Sequence, residues 1–128
     1  MSMSEHEALR RALARAIDHL DGLAEAPVGA TATPRALRDR LGGPLPEDGA
    51  EADRVIDELA DGVEGGLVGS AGGRFFGWVV GGAVPAALAA DWLTAAWDQN
   101  AAGSSASPAA AIVEEVCGDW LKALLGLP

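Results

Sequence analysis

The sequence predicts a mainly α-helical chain with little or no strand, and three observations carry that expectation. Apolar residues recur at three- and four-residue spacing in several stretches, which is the period of a helix and not the alternation of a strand. Two pairs, Thr33-Pro34 and Ser107-Pro108, set a capping hydroxyl before a proline suited to the first helical position. The stretch Leu67 to Gly82 is glycine-rich with β-branched and aromatic residues and is expected to be extended or loop, not regular strand.

The elements follow in order. From Ser4 to about Ala24, Leu9, Leu13, Ile17 and Leu20 make an amphipathic helix with one apolar stripe, ended by Pro27. Thr33-Pro34 opens a short helix to Leu41, stopped by Gly42-Gly43-Pro44. A third runs from about Ala50 to Val63, with Val55, Ile56, Leu59 and Val63 on one face, and Gly65-Gly66 closes it. Pro85 begins a fourth through Trp97, with Leu88, Trp92 and Leu93 as packing residues. A small, polar loop from Asn100 to Ala106 leads to the last helix, Pro108 to Leu125.

The chain has 128 residues, 9 basic against 19 acidic, for a net charge of −10. Charge of that sign repels DNA, RNA and anionic lipid alike, so no nucleic-acid or membrane partner is expected. The longest uncharged apolar stretch, Phe75 to Ala90, falls short of the ~20 residues a spanning helix needs. The start, with Glu5 and Glu7, is not that of a signal peptide. A single cysteine, Cys117, supports no internal disulfide, and a cytoplasmic location is expected.

Chemistry-bearing residues are sparse. His6 and His19 lie thirteen apart on one helix, on roughly opposite faces at ~100° per residue, and read as solvated. Asp91 and Asp98 are too far apart along a helix, ~10.5 Å, for a carboxylate pair; Glu114 and Glu115 diverge around theirs. No glycine pair belongs to a phosphate-binding loop. Cys117, among Val113, Val116 and Trp120, reads as a packed core thiol, and the aromatic residues from Phe75 to Trp120 read first as core. No metal site and no catalytic residue are expected.

The order of motifs carries more than any one of them. Arg74-Phe-Phe-Gly-Trp-Val-Val-Gly-Gly-Ala-Val-Pro85 is followed by Leu88-Ala-Ala-Asp-Trp-Leu93. Then come Ser107-Pro-Ala109, Glu114, Val116, Asp119-Trp-Leu121 and Leu127-Pro128. This series, with the first helix and Pro27-Val28 before it, resembles the N-terminal region of the pyridoxal-phosphate-dependent group II amino acid decarboxylases. The resemblance covers nearly the whole chain and is strongest from Phe75 onward.

That resemblance implies the N-terminal helical segment of a fold-type I enzyme, a homodimeric carboxy-lyase acting on a small amino acid. Residues 1–66 would form the helical clasp for the partner subunit, 67–106 the substrate-side loops and a helix, and 107–128 the helix leading to the large cofactor domain. Carried over residue by residue, the substrate-side positions are Trp78, Val79, Val80 and Gly81, with Asn100 and Ala102. Val79, Asn100 and Ala102 are smaller than the groups the aromatic decarboxylases place there, and Gly72-Gly73 replaces the usual His-Pro or Gly-Pro. The phosphate loop and Schiff-base lysine belong to the large domain, expected beyond Pro128. Lys122 is not that lysine, so this chain alone is expected to bind no pyridoxal phosphate. The alternative expectation is a stand-alone, non-catalytic helical module for dimerisation or regulation.

Overall fold

The computed structural model describes residues 3–128. Its five helices are α1 (Met3–Gly22), α2 (Pro34–Leu41), α3 (Ala52–Gly62), α4 (Pro85–Trp97) and α5 (Pro108–Leu125), and the described residues include no strand. The chain divides into two compact units, Met1–Gly82 and Ala83–Pro128.

In the first unit α1 packs on α3, and α2 rests on the end of α3. The half-buried residues of α1 include Ala8, Ala12, Arg15 and Ala16, one turn apart, while those of α3 include Ile56, Asp57 and Ala60. Small side chains let the two helices approach, and ion pairs at the same four-residue spacing fix their register. Arg15 reaches Asp57 at 2.9 Å and Asp61 at 2.9 Å, and Arg11 reaches Asp57 at 3.4 Å. The leucine stripe lies on another side of α1 and stays open: Leu9 is 57% exposed and Leu20 42%.

Leu37 and Leu41 of α2 sit over glycines with the same four-residue spacing. A Cβ at Gly62 would lie 2.5 Å from Leu41 Cδ2, and one at Gly66 would lie 2.6 Å from Leu37 Cδ2. Helix α1 ends at Gly22, five residues before the proline expected to stop it. The Glu25 and Ala26 N–H groups both donate to the Gly22 carbonyl, so a tight turn ends the helix before Pro27 is reached.

Two connectors then run past each other in opposite directions. The Thr31 and Ala32 N–H groups donate to Gly65 O, both at 2.8 Å, and Gly69 N–H donates to Val28 O at 2.8 Å. The Arg74 side chain reaches Leu23 O and Ala26 O. Positions 32 and 65 and positions 28 and 69 thus pair in one antiparallel register, without forming a β ladder, and the Arg74 side chain extends the contact toward the end of α1. Gly65 has φ +71°, and a Cβ there would lie 2.8 Å from Thr31 Oγ1, so the crossing needs glycine.

In the second unit, Pro85 at the first helical position of α4 follows an extended Val84. Asp98 ends the helix in the left-handed conformation, φ 49°, with its N–H on Thr94 O. Ser107 opens α5, its Oγ accepting the Ala110 N–H at 3.3 Å, and Gly126 closes it at φ 63°. Helices α4 and α5 do not pack on each other. No apolar side chain among the described residues is fully buried, which corrects the reading of the aromatic residues as a core within this chain. Cys117 is exposed, not a packed core thiol.

Candidate functional site

Residues Trp78 to Gly81 form the outer tip of the loop that follows the paired connectors. The Val80 N–H donates to Gly77 O at 3.4 Å, closing a four-residue turn. Its two central residues, Trp78 and Val79, have φ of 60° and 53°. Positive φ at both central positions marks the mirror-image turn that Asn-Gly forms readily. Tryptophan is a poor occupant of that conformation, and β-branched valine a worse one. Beneath the tip, the half-buried Phe75 ring packs on Gly77, where a Cβ would lie 3.2 Å from Phe75 Cζ. The side chains of the tip point away from any support: Trp78 is 89% exposed and Val79 fully so.

Asn100 and Ala102 lie in the second unit, in the loop between α4 and α5. Asn100 Oδ1 accepts the Ala102 N–H at 2.9 Å. That bond fixes the amide's orientation and leaves its NH2 group as the donor for anything outside. The loop closes onto α5 through the Ala106 and Ser107 N–H groups, both donating to Gly103 O. Ser107 itself has no exposed surface, so the cap is the fixed point of this unit.

The first unit also holds an open groove of about 560 Å³ between the end of α1, residues 26–31 and the end of α3. Arg15, Asp18, His19, Asp61 and Glu64 supply its polar lining, and none of the expected substrate-side residues borders it. The Asp57 carboxylate raises the Arg15 pKa above its ordinary value by hydrogen bonding; desolvation opposes this and Asp61 adds to it. His6 and His19 are both exposed. Among the described residues no three His, Cys, Asp or Glu side chains are grouped to hold a metal ion, and no helix is long and apolar enough to cross a membrane.

The tip's backbone conformation and the role of Arg74 were not legible from residue spacing. Arg74 stands out only because it is the one arginine beyond Arg54, directly before the aromatic run.

No family model matches the chain, and no curated protein or solved structure is significantly similar to it. Pyridoxal phosphate needs an amine for its imine and a cradle for its phosphate. Lys122, the only lysine, stands exposed in the last turn of α5 and does not border the groove. The residues described do not fit that group.

Proposed function

We propose that the chain is the N-terminal region of a pyridoxal-phosphate-dependent group II amino acid decarboxylase, supplying dimer contacts and one wall of the substrate pocket. The observation that carries this reading is the open state of three apolar helix faces in a chain whose motifs follow that family's order. The faces concerned are the leucine stripe of α1, Trp92, Leu93 and Trp97 on α4, and Ile112, Val116, Trp120 and Leu124 on α5.

Surface area gives the argument a scale. The chain exposes 10336 Å². Two separately folded units of these lengths would together expose about 7,600 Å². The difference, about 2,700 Å², is surface left uncovered that a partner can bury. A large domain and a second subunit are occupants of the right size. Trp78, Val79, Val80 and Gly81 would then give the pocket an apolar edge, and Asn100 a directed amide. All bond-making groups would come from the large domain.

The test is reconstitution. The chain is co-expressed with the large domain of a group II decarboxylase, and carbon dioxide release is measured across a panel of amino acids. Activity is expected, and Trp78→Ala is expected to raise KM about tenfold, with a fall in kcat if orientation is lost. Glu114→Ala is expected to act through assembly and leave the assembled enzyme's kinetics nearly intact. An active assembly indifferent to Trp78, Val80 and Asn100 would overturn the pocket assignment. Self-association of the chain with no affinity for the large domain would favour a stand-alone helical module.

A further inference from the structure

We propose that Arg74 is the positioning residue of the Trp78–Val79 tip, locking it to the C-terminal end of α1. Its Nη2 donates to Leu23 O at 3.3 Å and to Ala26 O, across 51 and 48 residues of chain. Those carbonyls lie just past Gly22, where the negative end of the helix dipole favours a cation. Guanidinium suits the task, since its donors are held in a plane and one nitrogen can serve two carbonyls.

Little slack separates anchor from tip. The Phe75 N–H donates to Gly72 O, the Phe75 ring lies on Gly77, and Val80 N–H returns to Gly77 O. Gly72 lies against Leu23, and the next hydrogen bond back to the connector is Gly69 N–H on Val28 O, five residues before Arg74. Positive φ at tryptophan and valine persists only where the surroundings enforce it. On the outer side of the turn nothing does so, because Trp78 and Val79 are open. Gly82 approaches Ala71 closely and closes the loop on itself, whereas Arg74 is the side chain that ties the base of the turn to the end of α1 by hydrogen bonds, so the tip's pose depends on that helix end. The inference rests on the proposed function only in treating this tip as a substrate wall; the mechanical link stands apart from it.

Limited chymotrypsin digestion of the full chain tests the link, with cleavage after Phe76 and Trp78 followed by mass spectrometry. Arg74→Ala is expected to speed both cleavages about tenfold, the scale of a lost charge-assisted hydrogen bond, and Arg74→Lys to restore most of the protection. Arg40 provides the control, because its Nη2 makes a bond of the same kind to Glu64 O at 2.9 Å. Arg40→Ala is expected to leave tip cleavage unchanged. If Arg74→Ala loses helix by circular dichroism, Arg74→Gln against Arg40→Gln carries the same comparison. Unchanged cleavage in the Arg74 variant, or equal acceleration in both, overturns the proposal. Failure of the reconstituted decarboxylase would instead overturn the proposed function and leave the cleavage result standing.

Discussion

Val79 is the residue whose chemistry agrees least with its conformation. A β-branched side chain at φ 53° crowds its own carbonyl, and no neighbour compensates, since the side chain is open. Val79→Gly is expected to stabilise the first unit by up to about 1 kcal/mol, the relief of left-handed strain being partly offset by glycine's greater freedom in the unfolded chain, and this is read as a higher urea midpoint. The same change should weaken substrate binding in a reconstituted enzyme, because the wall loses its only branched group at that position. Arg15 illustrates a different point. Its pKa is raised, so its contribution is complete below the unfolded value and is lost only as pH rises through the higher folded one. Arg15→Ala should therefore lower the melting temperature by the same amount at pH 6 and pH 9. The loss should shrink in high salt, as expected of a half-exposed ion pair.

At the scale of the helix, caps and prolines were legible and coverage was not. Thr33-Pro34 and Ser107-Pro108 placed the starts of α2 and α5 where the structure has them, since a hydroxyl accepting the N3 amide is a local interaction. Ser107→Ala is expected to cost about 1 kcal/mol, visible as fraying of the first turn of α5 in amide exchange. Thr33→Ala should cost less, its cap being exposed. The end of α1 was misplaced because Pro27 only forbids a helix, whereas the turn at Gly22 to Ala26 actively ends one. Gly62 lies inside the expected third helix, and periodicity gives no sign that it is the seat for Leu41. Periodicity tells which residues share a face. It does not tell which face meets a neighbour, so the alanine side of α1 and not its leucine stripe lies on α3.

Across the whole chain, the balance of exposed apolar surface sets the behaviour in solution. With no apolar side chain fully buried among the described residues, unfolding releases less apolar area than it does from a domain of this size with a buried core. The chain alone is expected to bind the dye ANS, to self-associate with rising concentration, and to show a urea m-value below that of an ordinary 128-residue domain. A steep, concentration-independent transition would contradict the open faces. The tip residues were reached by motif order, which no surface-area argument could have supplied; their strained turn needed coordinates. The paired connectors carry a different consequence, one of heredity. Because 32 with 65 and 28 with 69 share one register, a codon lost between 29 and 31 shifts the Val28 carbonyl off the Gly69 N–H unless another is lost between 66 and 68. Insertions and deletions in these two stretches should therefore be inherited in matched pairs, and a chain shortened at Ala30 alone should be rescued by also deleting Leu67.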